Sequence, residues 1–186
     1  PPRPVVPARC HSLIRRPPAD PASSTLAVDV VSGVVCPWCY IGKRKLEAAL
    51  GELKAHEPAL EIAVRWHPFQ LNPDMPAGGV PRAAYLAAKF GGTARATENY
   101  SRVRAVGAEV DIPFAFERIA MQPNTLQAHR LIAWAQNRGD PDAAGALVER
   151  LFHAYFIEGR FLGDREGRTR GAPAAGADRA DDRAVR

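Results

Sequence analysis

The chain has 186 residues, of which 46% are hydrophobic and 24% are charged, values typical of a globular protein large enough to bury a core. No apolar run approaches the roughly 18 residues that a membrane-spanning helix needs, which argues against a membrane partner. The net charge is +5, but residues 26–162 hold 15 basic against 14 acidic side chains, so no dense basic surface for nucleic acid is expected.

The two ends of the chain differ in composition from the middle. Residues 1–24 are rich in Pro and Arg and have neither a periodic apolar pattern nor the apolar core of a secretory signal. They predict a disordered leader and, with only three cysteines in the chain, a cytoplasmic protein. Residues 163–186 contain one large aliphatic side chain, Val185, and predict a disordered or divergent tail.

Residues 25–72 carry the pattern of a strand, a helix and a second strand. The stretch TLAVDVVSGVV, 25–35, is rich in β-branched residues and predicts a buried strand. A helical pattern follows from Trp38, with the basic run at 43–45 on its solvated face, and 57–71 alternates like a strand. This order predicts a βαβ unit with parallel strands.

Residues 73–162 predict a mostly helical segment. Pro81 suits the first position of a helix and Gly91 its C-terminal cap. Asp140 and Pro141 are expected to begin the last helix. Its apolar stripe comprises Ala144, Leu147, Val148, Leu151, Phe152, Tyr155 and Phe156.

Two cysteines, Cys36 and Cys39, stand between the first strand and its helix, separated by Pro37 and Trp38. A thiol at a helix N-terminus faces unpaired amides and the positive end of the helix dipole, which predicts a lowered pKa for Cys36. The thiolate is the species that attacks a disulfide. The spacing therefore predicts Cys36 as nucleophile and Cys39 as resolving thiol, with Pro37 and Trp38 tuning the redox potential.

A Cys-x-x-Cys pair is also half of many zinc sites, so a zinc site is the alternative to a redox pair. Zinc needs two more ligands, and the nearest pair, Cys10 and His11, lies in the proline-rich leader. His129 and His153 lie in amphipathic helices, where a solvated or a satisfied core histidine is the usual outcome. The strand–Cys-x-x-Cys–helix–strand order favours a thioredoxin-like dithiol, and no metal or other cofactor is predicted.

Five blocks of sequence resemble a known family. They are VDVVSGVVCPWCYIGKRKLEAAL, VRWHPFQLNPDMPAGG, YLAAKFGG, PNTLQAHRLIAWA and LFHAYFIEGR. In this order they resemble DsbA-family thioredoxin-like oxidoreductases, in particular the FrnE-like branch, over residues 25–164. The resemblance implies an α/β protein with a thioredoxin-like fold, interrupted by a helical insertion domain.

The same resemblance implies a dithiol–disulfide oxidoreductase or isomerase, with Cys36 and Cys39 as its redox pair. Its partners would be disulfide-containing or dithiol proteins, and possibly glutathione. Related kappa-class glutathione transferases and 2-hydroxychromene-2-carboxylate isomerases usually carry serine at the first cysteine and use glutathione. Glutathione-dependent isomerase or transferase chemistry is therefore the alternative, and the two cysteines favour redox chemistry.

The sequence departs from the family at two places. Gly33 stands where FrnE-like sequences commonly have an acidic residue. The family also continues past the insertion with further strands, a loop whose cis-proline packs beside the nucleophile, and a final helix. None is visible after EGRFLGD, so we expect an incomplete thioredoxin-like fold in a truncated or frame-shifted product, and an inactive remnant is a further alternative.

Overall fold

The computed structural model describes residues 25–138, 140 and 142–163. The predicted leader, Cys10, Pro141 and the tail from residue 164 onward lie outside this part of the chain. Within it no helix is long and apolar enough to cross a membrane.

The first three elements form the predicted βαβ unit. They are β1 (Thr25–Ser32), α1 (Pro37–His56) and β2 (Glu61–Pro68). The two strands are parallel, in a register that runs from Thr25 opposite Glu61 to Ser32 opposite Pro68. Parallel neighbours require a crossover connection, which α1 supplies. The prediction for this unit is confirmed.

The prediction of a buried first strand is wrong for most of β1. Val31 is 65% exposed, and only Ser32 of this strand is buried. In the described part of the chain the sheet has two strands, so both are edges and little packs against their outer ends. The β-branched composition predicts that this segment forms a strand, but the burial of the strand depends on which elements pack against it.

The remaining elements are helical apart from one short strand pair. Gly91 ends a helix in the left-handed conformation, as predicted, at φ 71°. Pro81 precedes the first helical residue instead of being it, because it pairs with Met121 in an antiparallel bridge. The last helix begins after Asp142, two residues later than predicted. In chain order these elements are β3 (Val80–Pro81), α2 (Arg82–Phe90), α3 (Thr93–Ala108), a 3-10 turn (Phe116–Arg118), β4 (Met121–Gln122), α4 (Leu126–Gln136) and α5 (Ala143–Phe156).

One hydrophobic core joins the βαβ unit to the helical segment. The whole predicted stripe of α5 is buried. Tyr40 of α1 stacks on Phe152 of α5 with ring centroids 4.8 Å apart, and Phe114 packs edge-on against Phe156 at 5.4 Å. Such aromatic pairs add about 0.5–1.5 kcal/mol beyond their area burial. The helix that begins at the cysteines is thereby fixed against α5.

The prediction that the basic run of α1 is solvated is wrong for Lys43. This side chain is buried, and its Nζ lies 2.9 Å from Glu149 of α5 and also contacts Glu47. The same Glu149 accepts hydrogen bonds from Arg44 at 2.5 Å and from the Tyr40 hydroxyl at 2.7 Å. A buried ammonium is tolerated because carboxylates compensate its charge. Only the packing of α5 brings this carboxylate to α1.

Candidate active site

The two predicted cysteines lie where β1 ends and α1 begins. Cys36 is the N-terminal cap of α1, in an extended conformation, and Pro37 is the first helical residue. The amides of Cys39 and Tyr40 donate to the Cys36 carbonyl at 3.1 and 3.4 Å, which closes the first turn. Both cysteines are free thiols and half-buried. The turn therefore brings both thiols together at the helix N-terminus.

Each thiol changes the pKa of the other. The Cys36 thiol stabilises the Cys39 thiolate by a hydrogen bond, and this contact first of all lowers the pKa of Cys39 to about 6. Burial opposes it, while the Gly33 backbone and the Ser32 hydroxyl add smaller contributions in the same direction. A group whose pKa lies near 6 is largely ionised at neutral pH. The pair therefore carries a thiolate at neutral pH.

The placement of that thiolate differs from the sequence prediction. The pKa of Cys36 is raised, first by its hydrogen bond to Cys39, then by burial and by the charge on Cys39. The amides of Cys39 and Trp38 lower it, as expected at a helix start, but by less. A helix N-terminus alone favours a thiolate at Cys36, but in the dithiol the hydrogen bond to Cys39 has the larger effect on the pKa of Cys36.

Gly33, where the family commonly has an acid, lies in close contact with the next loop. A Cβ atom added there would lie 2.9 Å from the Phe69 carbonyl oxygen, closer than Cβ contacts in proteins, and the opposing atom is backbone. The Phe69 amide in turn donates to the Ser32 carbonyl at 3.0 Å. A carboxylate at this position would require the loop to move.

Apolar side chains are exposed around the pair. Trp38 is 52% exposed and Phe69 is 51% exposed. Trp38 directly precedes Cys39, and Phe69 follows β2 at the end of the sheet where β1 meets α1. Exposed large apolar residues that cluster beside a site are typical of surfaces that contact another molecule.

Two buried polar residues, Ser32 and His129, were not predicted as part of the site. Ser32 is 8% exposed and His129 is 5% exposed. His129 is a core histidine: the Phe69 backbone accepts from its ring, while its Nε2 atom has no hydrogen-bond partner among the described residues. Periodicity places His129 on α4 but cannot reveal which groups of β1 and β2 it meets. Only the tertiary packing of α4 on the strands gives that information.

The other histidines in the described ranges, His56 included, have partners at the surface. His67 Nε2 lies 2.8 Å from Asp29 Oδ1 across the two strands, and His153 Nδ1 lies 3.0 Å from Glu158. No three His, Cys, Asp or Glu side chains in the described ranges lie together as potential metal ligands.

Comparison with known proteins gives the class of the chain. It belongs to the DSBA-like thioredoxin domain family, whose model matches residues 27–185. This match runs through the predicted tail. The class is therefore that of thiol oxidoreductase-like proteins with a thioredoxin-like fold and a helical insertion, as the resemblance implied.

Two individual proteins illustrate the similarity. YwbO, an uncharacterized protein of Bacillus subtilis (strain 168), is 25% identical over 160 residues, which cover 83% of this chain and 68% of YwbO. The crystal structure of a probable DsbA oxidoreductase from Streptomyces coelicolor is similar with a TM-score of 0.72 and 29% identity. The match covers 86% of this chain and 67% of that protein.

Proposed function

We propose that this chain is a cytoplasmic thiol–disulfide oxidoreductase of the FrnE-like branch that uses Cys36 as nucleophile and Cys39 as resolving thiol. The observation that carries the proposal is the placement of both thiols in the first turn of α1, with Cys36 as its N-terminal cap and Cys39 one turn on. The lowered pKa of Cys39 supports it. A thiolate at neutral pH is what thiol–disulfide exchange requires. Pro37 and Trp38, in the first turn, would set the redox potential.

The proposed reaction begins with a proton transfer inside the pair. The Cys36 proton moves to Cys39 along their hydrogen bond, which leaves a Cys36 thiolate stabilised by the Trp38 and Cys39 amides. This thiolate attacks a substrate disulfide, forms a mixed disulfide and releases one substrate thiol. Cys39 then attacks Cys36, releases the second thiol and closes the Cys36–Cys39 disulfide. The substrate gains the two electrons and the one proton that the thiol–thiolate pair loses, and leaves as one thiolate and one thiol.

The exposed apolar residues support protein substrates. A peptide disulfide brings neighbouring side chains to the site, and Trp38 and Phe69, both about half exposed, offer apolar contacts for them. A small disulfide such as oxidised glutathione would use the thiols and little of this surface. We therefore propose protein disulfides as the principal substrates.

The experiment is an insulin-reduction assay with a thiol reductant to recycle the pair. Wild type should accelerate insulin reduction, and Cys36→Ser should bring the rate to that of reductant alone, because it removes the attacking sulfur. Cys10→Ser is the matched control and should keep the wild-type rate. Equal rates for wild type and Cys36→Ser contradict the proposal.

A further inference from the structure

A small cavity lies between the two strands and the helical segment, and Ser32, whose hydroxyl favours the Cys39 thiolate, lines one side of it. Its volume is about 10 Å³, about the minimum that a cavity needs to hold one water molecule. Ser32 and His129 line it, together with apolar walls from Val34, Trp66 and Val148. The cavity therefore combines the size for one water with polar groups on otherwise apolar walls.

Both polar residues bring an atom with unmet hydrogen-bonding capacity to this cavity. Ser32 Oγ and His129 Nε2 are buried, and neither meets the distance and angle of a hydrogen bond with any residue that the structure describes. Ser32 Oγ is nevertheless near enough to Cys39 to lower the pKa of that thiol. An unmade hydrogen bond at a buried polar atom costs about 1–3 kcal/mol, and two at one cavity are unusual in a native core. One water placed between them would satisfy both atoms.

The ring of His129 is oriented by the loop after β2. The Phe69 backbone accepts from it and favours its protonated form, but burial outweighs this and lowers the pKa of His129. Nε2 has no hydrogen-bond partner, so Nδ1 is the ring nitrogen that donates to the Phe69 backbone. A neutral ring with its proton on Nδ1 presents an unprotonated Nε2, which can accept a proton, to the cavity.

We propose that Ser32 and His129 hold one buried water and form the route by which the Cys39 thiol loses its proton when it resolves the mixed disulfide. This inference rests on the proposed function. In the dithiol, the Cys36 thiol is the main group that stabilises the Cys39 thiolate. In the mixed disulfide, Cys36 has no proton to donate. Of the groups that favour the Cys39 thiolate, the Gly33 backbone and the Ser32 hydroxyl are the ones that stay.

The resolving step couples a proton transfer from Cys39 to its attack on the mixed disulfide. The Cys39 proton passes to Ser32 Oγ, the Ser32 proton to the water, and a water proton to His129 Nε2. The Cys39 thiolate attacks the Cys36 sulfur, the bond from Cys36 to the substrate sulfur breaks, and the substrate leaves as a thiolate. His129 then returns its proton through the water to that thiolate or to solvent. Ser32 and His129 are positioning residues that act through Cys39.

The other charged groups around His129 are already engaged or exposed. His67 of β2 lines the same cavity and is bound to Asp29. Glu149 of α5, next to the wall residue Val148, is bound to Lys43 and Arg44. Arg130, beside His129 on α4, is exposed. Among the groups that line this cavity in the described part of the chain, His129 Nε2 is therefore the proton acceptor without a hydrogen-bond partner.

The test separates the two chemical steps in a Cys10→Ser background. An aromatic disulfide whose thiolate product is coloured releases one equivalent when Cys36 attacks and a second when Cys39 resolves. His129→Gln keeps a polar side chain that can bind water but cannot accept a proton at neutral pH. It should slow the second release by about 100-fold, the low end of the contribution of a positioned base, and leave the first release unchanged.

Ser32→Ala should slow the same phase, and Ser32→Thr, which restores the hydroxyl, should recover it. His153→Gln is the control for loss of a surface histidine. The wild-type rate of the second release should fall only below the lowered pKa of His129, whereas in His129→Gln it should rise with pH through the neutral range. Thermal unfolding of each variant checks the fold.

Three results would overturn the inference: an unchanged second release in folded His129→Gln, equal slowing of both releases, or an unaltered pH profile. Failure of the proposed function looks different. In that case the first release is missing from wild type, or it persists unchanged in Cys36→Ser.

Discussion

Replacing Cys39 with serine should trap this protein as a mixed disulfide at Cys36. The first attack needs only the Cys36 sulfur, and its pKa should fall in this variant, because the hydrogen bond to Cys39 is the main cause that raises it. The second attack loses its nucleophile. A well-oriented intramolecular group acts at an effective concentration of about 10⁵ M or more, so external thiol cannot replace it, and release should be at least about 100-fold slower.

The trapped species is measured by intact mass after mixing with a disulfide-containing protein under non-reducing conditions. Cys39→Ser should gain the mass of one substrate chain, and reductant should remove it. Cys36→Ser and the Cys36→Ser, Cys39→Ser double variant should gain none. An adduct that forms on Cys36→Ser as fast as on Cys39→Ser would assign the first attack to Cys39 and contradict the proposed roles.

Replacing Glu149 with alanine should lower the free energy of unfolding by about 1.5–3 kcal/mol, the usual contribution of hydrogen bonds to a charged group, because this carboxylate is partly exposed. The side chain of Lys43 is 2% exposed, and the substitution would leave it with Glu47 alone. Arg44 and the Tyr40 hydroxyl would lose the same carboxylate. The contact joins α1 to α5, so the loss should affect global unfolding.

The effect should depend on pH in a defined direction. Burial raises the pKa of Glu149, but Lys43, Tyr40 and Arg44 outweigh it and the pKa is lowered from 4.5. A carboxyl group with a depressed pKa stabilises the fold above its ordinary value and loses that contribution as the pH falls through the folded value. The difference between wild type and Glu149→Ala should therefore be full at neutral pH and shrink below about pH 4.5.

Urea denaturation measures both effects, with two controls. Glu98→Ala removes an exposed pair with Arg102, whose side chains are 66% and 72% exposed, and should cost less than about 1 kcal/mol. The Lys43→Met, Glu149→Leu double variant removes both charges and should recover much of the lost stability. A Glu149→Ala protein as stable as Glu98→Ala would show that the cluster contributes little.

The location of the pair could be predicted from the sequence because it depends on local features. A β-branched run, a proline after Cys36 and a helical pattern fix the end of a strand and the start of a helix within a few residues. The parallel pairing of the strands follows from the length of the connection. The burial of the apolar stripe of α5 could also be predicted, because seven apolar side chains at helical spacing have to be buried.

What the sequence could not give depends on contacts between distant segments. Lys43 has the spacing of a solvated residue and is buried because Glu149, more than 100 positions away, lies against it. His129 follows the helical pattern of α4, yet the role proposed for it depends on a cavity that it shares with Ser32 of β1. The pKa of Cys36 differs for a local reason, because the hydrogen bond to Cys39 affects it more than the helix N-terminus does.

The redox assignment of Cys36 and Cys39 is tested most directly by their oxidation state in glutathione buffers with an increasing fraction of oxidised glutathione. Free thiols are trapped in each buffer, and the mass of the protein is then measured. We predict a single two-electron transition to a Cys36–Cys39 disulfide, with a mass loss of two hydrogens and full reversal by reductant. Two thiols that stay reduced throughout, or a stable glutathione adduct without the internal disulfide, would contradict the redox assignment. The adduct would favour glutathione-dependent chemistry instead.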